Sequence, residues 1–306
     1  MLQYILFKLI QFLLSISPRW LSYKVGRLTA RLYYLFAVEP RDAVRSNIAH
    51  VLDYTRGKDE SPARRVMVNR LARETFENFA VHLADFFDIA SFGRGAGSGR
   101  IETVGVEKLD RVLGAGRGVI AITAHIGNWE LGPRVLTDMG YRFGAVEIKH
   151  ENRWLDKFFT DLRVNSGALM AHEGFEIRHI LKILKENGLA TFVIDRDESF
   201  KGRKVMLFGE EATLVRGAPE FSCRTGVPII PGFMIQVRAG EFRLVFDDPI
   251  TPVAGMDKEA RLEEIYSELA GVLEKYIARY LSQWFIFYKV WPQLQGKSRN
   301  SGKIRE

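Results

Sequence analysis

Apolar residues recur along this chain with two different periods, and the switching between them is its main structural signal. Residues 2–16 are mostly apolar, interrupted by Gln3, Lys8, Gln11 and Ser15, and Pro18-Arg19 ends the run. A bilayer span needs about 20 predominantly apolar residues, so this run is short for one. A nearly absent basic leader and the lack of a small-residue cleavage site argue against a removed signal peptide. An uncleaved anchor or an interfacial helix is expected. Over residues 19–36, Leu21, Val25, Leu28, Leu32 and Leu35 fall at helical spacing while Lys24, Arg27 and Arg31 recur on another face. A basic amphipathic helix of this kind suits an anionic membrane interface, although two ordinary packing helices give the same pattern.

Ser61-Pro62 provides an N-cap and a first-turn proline for a helix carrying Val66, Leu71, Phe76, Phe79 and Leu83. Residues 92–100 form a glycine-rich break, read as a flexible linker because no GxGxxG fingerprint occurs. Short apolar runs at 118–123, 143–148, 189–194, 227–235 and 242–246 predict strands. Helical spacing predicts helices at 153–165, at 176–187 with Gly188 as C-cap, and at 258–280. A further helix is expected from an N-cap at Asn128 through Trp129, Leu131, Val135 and Leu136 to a stop at Gly140. Alternating strands and helices imply an α/β fold with a mixed, largely parallel sheet flanked by helices, preceded by an N-terminal membrane-associated helical region. The expected division is membrane-associating helices over 1–60, a catalytic domain over 61–294 and a disordered basic tail over 295–306.

Composition narrows the partners. The net charge of +7 and a pI near 9.4 point to an anionic partner such as lipid headgroups, an acidic carrier protein, a phosphorylated cofactor or nucleic acid. No nucleic-acid motif is present and the basic residues are scattered through amphipathic segments, which disfavours nucleic acid. The single cysteine, Cys223, excludes an internal disulfide and reads as a small buried residue. No Cys/His spacing suits zinc, so no metal is expected. GxSxG and Walker A runs are both absent, which weakens serine-hydrolase and P-loop readings.

Candidate chemistry concentrates at His125, five residues before Glu130 and just after the apolar strand 118–123. A base that takes a proton from a hydroxyl needs an imidazole on a rigid element and a carboxylate to fix its tautomer. The turn outside a strand's carboxyl end is where open α/β sheets place ligands. Asp195, Arg196 and Asp197 terminate another strand, where they either share that cleft, holding an anionic headgroup or orienting the imidazole, or form a surface salt-bridge cluster. The stretch around Gly209, with Arg216-Gly217 after it, precedes another short helix whose amides are able to bind phosphate; a plain turn is the commoner explanation. Arg163 falls on the 153–165 helix, facing either solvent or the cleft. His50, His82, His150, His172 and His179 lack an acid at matching spacing and are read as structural or surface residues.

Several blocks in order resemble the bacterial lipid A late acyltransferase (lauroyl/myristoyl acyltransferase) family, within the wider glycerolipid and lysophospholipid acyltransferase superfamily. These are Ala124-His125-Ile126-Gly127-Asn128-Trp129-Glu130, Val193-Ile194-Asp195-Arg196-Asp197, Leu207-Phe208-Gly209 and Gly226-Val227-Pro228-Ile229-Ile230-Pro231. The likeness extends from the N-terminal apolar helix through Val44-Arg45-Ser46-Asn47-Ile48 to Gln283-Trp284. It implies transfer of a fatty acyl group from an acyl carrier protein or coenzyme A thioester to a lipid hydroxyl at the cytoplasmic face of the inner membrane, with no cofactor beyond that co-substrate. It further implies that His125 is the general base, that Glu130 supports it, and that Arg163 and Asp195 or Asp197 help form the substrate site. Some relatives pair the histidine with the later acid instead. An Arg-Pro pair expected after the second strand is replaced by Ile148-Lys149-His150, which opens the acceptor to a glycolipid or lysolipid other than a lipid A precursor. A lipid-binding protein without catalysis, or a hydrolase using water in the same chemistry, are the readings from other classes.

Overall fold

The computed structural model describes residues 2–89, 100–146, 152–165, 169–171, 176–197 and 201–293. Four helices come first: α1 (Leu2–Ile16), α2 (Arg19–Phe36), α3 (Val38–Arg56) and α4 (Pro62–Phe87). There follow β1 (Arg100–Val104), α5 (Val106–Leu113), β2 (Val119–Thr123), α6 (Gly132–Asp138), β3 (Phe143–Val146), α7 (Arg153–Asn165), β4 (Leu169–Ala171) and α8 (Glu176–Lys185). The chain continues with β5 (Leu189–Val193), β6 (Arg203–Leu207), β7 (Glu210–Leu214), α9 (Gly217–Thr225), β8 (Ile229–Arg238), β9 (Glu241–Phe246) and α10 (Lys258–Arg279). The expected tail over 295–306, the glycine-rich run up to residue 99 and the block Ile148-Lys149-His150 lie outside the described residues; Arg100 opens β1.

Local chemistry explains most boundaries. The Ser61 hydroxyl accepts from the Arg64 N–H at 3.2 Å ahead of Pro62, and Asp257 accepts from the amides of Glu259 and Ala260 to start α10. Asn187, and not Gly188, takes the left-handed position after α8, with φ +54. Its side chain accepts from Gly118 N–H and donates to the Leu113 carbonyl, tying that turn to the start of β2. The segment around Gly209 is a β-hairpin: Phe208 and Gly209, at φ +51 and +73, form the two-residue turn joining antiparallel β6 and β7. Paired positive φ values match the twist of such hairpins.

The main sheet has seven strands in the order β1-β9-β8-β2-β5-β3-β4, parallel throughout except for β8 against β9. Strand β2, at its centre, is apolar and buried from Val119 to Ile122 because both of its faces are covered. Ile120 and Ile122 pack with α9 and α10 in one core, while Val119 and Ala121 pack with α5, α6 and α7 in the other. Each fully buried isoleucine contributes about 1.5–3 kcal/mol. From β2 the chain leaves through α6 toward β3, whereas from β5 it leaves toward β8, with α9 on the opposite face. The neighbouring ends of β2 and β5 therefore form a topological switch point, where a crevice opens in sheets of this type.

The N-terminal helices pack on the same body. Tyr4, Phe7, Ile10 and Leu14 of α1 lie against the second core, and Ala30, Val44, Ile48, Val51 and Leu52 join the first. The opposite side of α1 exposes Ile5, Leu6, Leu9, Phe12, Leu13 and Ile16, and α2 exposes Trp20, Val25, Leu28, Leu32, Leu35 and Phe36. No helix among the described residues is long and apolar enough to cross a membrane.

Gly127, in the loop after β2, has φ +65, and a Cβ there would overlap the Met234 carbonyl oxygen. Gly140 has φ +89 with open space around it. Gly140→Ala should cost about 1–2 kcal/mol from backbone strain alone, and Gly127→Ala clearly more, read from denaturant midpoints of the two variants. Equal costs would show that the β8 backbone yields to the added methyl group.

Candidate active site

The register of the central strands sets the site. Thr123 of β2 pairs with Val193 of β5, so His125 and Asp195 each stand two residues beyond the last paired position of adjacent parallel strands. The Asp195 carboxylate meets His125 Nδ1 at 2.8 Å and accepts from the His125 backbone N–H at 3.0 Å. Its Oδ2 also accepts from Trp284 Nε1 at 3.0 Å. Trp284 is delivered by the segment after α10, which pairs with the loop as an antiparallel bridge to Ile126 and through Phe285 N–H to the His125 carbonyl. The Asp195 side chain is 2% exposed and that of His125 15%. With Nδ1–H committed to the carboxylate, a neutral His125 carries its lone pair on Nε2, the arrangement a general base requires.

Glu130 occupies a different place from the one expected. The chain turns at Gly127, and residues 128–131 form tight turns closed by Leu131 N–H to the Asn128 carbonyl. Helix α6 begins only at Gly132, so Asn128 does not cap it and no helical turn brings Glu130 beneath His125. Glu130 instead accepts a two-point bond from Arg163 of α7, at 3.0 and 2.6 Å. Burial alone would raise the Glu130 pKa, but the Arg163 charge and hydrogen bonds outweigh it and hold the carboxyl below its ordinary value. Among the described residues, Asp195 is thus the acid bonded to the imidazole, and Glu130 acts on it only through its field. Arg163 faces inward and not to solvent.

The other expected site residues are dispersed. The Arg196 side chain is exposed on the loop after β5. Asp197 caps that loop, accepting from Gly202 N–H at 2.7 Å while its own N–H donates to Tyr288 Oη at 3.0 Å. Gly209 sits in the β6–β7 turn against the Tyr54 ring on α3, so its glycine is explained by the turn.

Behind the loop lies a buried polar chain that spacing did not single out. Tyr23 Oη of α2 donates to Asp85 Oδ1 of α4 at 2.5 Å, and Asn128 Nδ2 donates to Asp85 Oδ2 at 3.3 Å. Asn128 Oδ1 lies 3.2 Å from His82 Nδ1. The His82 ring stacks on Trp129 at 4.1 Å, and the Trp129 ring meets His125 edge-on at 4.9 Å. Burial pushes the Asp85 carboxyl up to about 7, against the opposing pull of Tyr23, Arg19 and Asn128. Burial lowers His82 to about 4. The same desolvation disfavours the charged form of both groups.

These shifts have opposite signs for stability. The raised Asp85 contributes stability that is present below its unfolded pKa and is lost as pH rises through 7. The lowered His82 contributes stability present above its unfolded pKa and lost as pH falls toward 4. In the wild type they offset between about pH 4 and 6.5. Asp85→Asn leaves the His82 contribution unopposed, so its denaturant midpoint should fall more steeply than that of the wild type as pH drops from 7 to 4. Parallel profiles would show that Asp85 ionises normally.

Comparison with known proteins bears on the same residues. The family described as bacterial lipid A biosynthesis acyltransferase matches residues 1–293. Over 131 residues the chain is 26% identical to phosphatidylinositol mannoside acyltransferase of Mycobacterium tuberculosis (strain CDC 1551 / Oshkosh), covering 42% of each protein. It is 22% identical over 165 residues to the protein of the same name in Mycolicibacterium smegmatis, covering 53% of this chain and 54% of the relative. The chain thus spans about half or less of the curated relatives it matches. The family match, by contrast, includes every residue of the site from Tyr23 to Trp284, and on that match the chain belongs to the bacterial lipid A biosynthesis acyltransferase family.

Proposed function

We propose that this protein transfers a fatty acyl group from an acyl carrier protein or coenzyme A thioester to a hydroxyl of a lipid A precursor or related glycolipid, with His125 as the general base. The observation that carries this reading is the His125–Asp195 pair at the switch point, which leaves Nε2 as the free basic nitrogen. His125 takes the acceptor hydroxyl proton as the oxygen attacks the thioester carbonyl carbon. Collapse of the tetrahedral oxyanion breaks the C–S bond, and the departing thiolate receives the proton from the imidazolium. Asp195 stabilises that imidazolium and fixes its tautomer. Arg163, held by Glu130 and 21% exposed, supplies positive charge for the oxyanion or for an acceptor phosphate. The fold, the family and the names of the curated relatives support a lipid as acceptor; the Ile148-Lys149-His150 block leaves its headgroup open.

The exposed apolar residues of α1 and α2, with Lys24 and Arg31 exposed beside them, suit a face that lies in an anionic membrane interface and does not cross it. The proposed setting is the cytoplasmic face of the inner membrane, where both thioester donors occur, and such an interfacial face is compatible with it.

The function is tested by mass spectrometry of lipids after incubating purified protein with acyl-carrier or acyl-coenzyme A donors and a bacterial membrane extract. A new acylated lipid is expected. Free fatty acid released without an acylated acceptor would make the protein a hydrolase, and no turnover of any donor would favour lipid binding alone.

His125→Ala should lower turnover by about 10²- to 10⁴-fold, and Asp195→Asn should lie in the same range because it removes the charge that sets the tautomer. Glu130→Gln should be milder in kcat and should raise KM for an anionic acceptor. A Glu130→Gln loss matching His125→Ala, with Asp195→Asn near wild type, would return the supporting role to Glu130.

For the membrane face, Leu28→Glu combined with Leu32→Glu should weaken binding to anionic phospholipid vesicles by about ten-fold per leucine. Unchanged co-sedimentation would exclude α2 from the interface.

A further inference from the structure

We infer that Asp85 is a positioning residue for the His125 base, acting through Asn128, His82 and Trp129, and that Tyr23 ties this chain of contacts to helix α2. The inference rests on the acyl-transfer reading for its kinetic consequence and on geometry for everything else. Asp85 is 4% exposed, Asn128 2% and His82 4%. Buried groups of this kind persist when every donor finds an acceptor, and here the donors run in one direction. Tyr23 Oη and Asn128 Nδ2 both donate to the Asp85 carboxyl oxygens. Because Asn128 spends its amide hydrogen on Asp85, its Oδ1 is left to accept from His82 Nδ1. Asp85 thereby dictates the orientation of the Asn128 amide, and the amide dictates that neutral His82 carries its proton on Nδ1.

His82 is the platform on which the site's aromatic wall stands. Its ring lies nearly parallel to the Trp129 indole, 25° between planes, and Phe285 packs beside both, 5.9 Å from the His82 ring and 6.0 Å from the indole. The indole in turn abuts the His125 ring at 67°. His125 is therefore fixed on two sides, by Asp195 at Nδ1 and by Trp129 against the ring. The loop backbone is held independently, by Asn128 N–H to the Met234 carbonyl and Gly127 N–H to the Gln283 carbonyl. Disturbing the side-chain network should thus tilt the rings without unfolding the loop. The charged groups that act on Asp85 are Arg19 of α2 and Asp88 after α4.

Asp85→Asn tests this directly. An amide at position 85 that still accepts from Tyr23 presents its NH₂ to Asn128, which must flip to accept. The flipped Asn128 then offers its own NH₂ to His82 Nδ1, forcing the His82 proton to Nε2. In ¹⁵N-histidine-labelled full-length protein, ring nitrogen shifts should report Nδ1–H for His82 in the wild type and Nε2–H in Asp85→Asn. In the mass-spectrometric acyl-transfer assay, kcat should fall by about ten- to a hundred-fold with KM changed less than about two-fold. Tyr23→Phe removes one hydroxyl from the chain while retaining the ring. It should keep the His82 tautomer, lower kcat by several-fold at constant KM, and provide the kinetic test if Asp85→Asn fails to fold. A tautomer switch with unchanged kcat, or wild-type kcat in Tyr23→Phe, would overturn the positioning role, as would an Nε2–H tautomer for His82 in the wild type. A wild type that turns over no donor would refute acyl transfer instead, and the tautomer measurement would still read the network.

Discussion

One carboxylate, that of Asp195, joins the three segments from which the site is made. It receives the ring and the backbone N–H of His125 after β2 and the indole N–H of Trp284 after α10, across 70 and 89 residues of sequence. A buried carboxylate is tolerable only when its charge is met by donors of this kind, so the acid and its three donors stand or fall together. The parallel register of β2 with β5 brings the two loops out side by side, and the antiparallel bridge between Ile126 and Trp284 closes the third side. The sheet's contribution is this alignment: it holds the imidazole with Nδ1 against the carboxylate, the fixed tautomer that the proposed base role needs.

Three buried acids within this region are handled in three ways, and the contrast assigns their roles. Asp195 is stabilised by neutral donors and an imidazole that is free to become charged. Glu130 is matched by a permanent cation, Arg163, which keeps it ionised whatever happens at His125. Asp85 is met by the Tyr23 hydroxyl and the Asn128 amide, and desolvation wins, raising it to about 7. Only the first can change its interaction as a proton arrives on the imidazole and leaves again, which is what proton transfer demands. The second is suited to presenting a guanidinium at constant charge. The third is suited to holding neighbours in place.

Much of the framework was legible in the sequence because it rests on local chemistry. The central strands, the Ser61-Pro62 start of α4 and the long helix α10 all follow from apolar period and caps, and the block around His125 marked the candidate site. What spacing did not give was the partner of His125. The expectation that Glu130 supports the ring assumed a helical turn after His125, and Gly127 at φ +65 replaces it with a tight loop. Asp195 was among the candidates, but its pairing depends on strand order, which no local pattern encodes. The same holds for Tyr23, Asp85 and His82: they lack any shared periodicity, and their contacts with one another and with Asn128 arise from packing α2 and α4 behind the loop. The hairpin at Gly209 shows the converse case, in which a glycine in a suggestive stretch is accounted for by the turn itself.

The position of α2 links these observations. One side of this helix buries Ser22, Tyr23 and Ala30, and the other exposes a row of large apolar side chains. Exposed apolar residues in such number are costly in water and favour a surface that covers them. The buried side is bonded through Tyr23 to the same Asp85 that orients Asn128. A helix whose outer face is apolar and exposed and whose inner face ends in the site's supporting hydrogen bonds leaves little slack between the two. Displacement of α2 away from α4 would break the Tyr23–Asp85 bond before it disturbed the sheet, because the sheet's register is set by β2, β5 and β8 and not by the helices. Asp195 and His125 at the strand ends are therefore as rigid as the sheet, whereas the aromatic wall beside them is as rigid as the seating of α2.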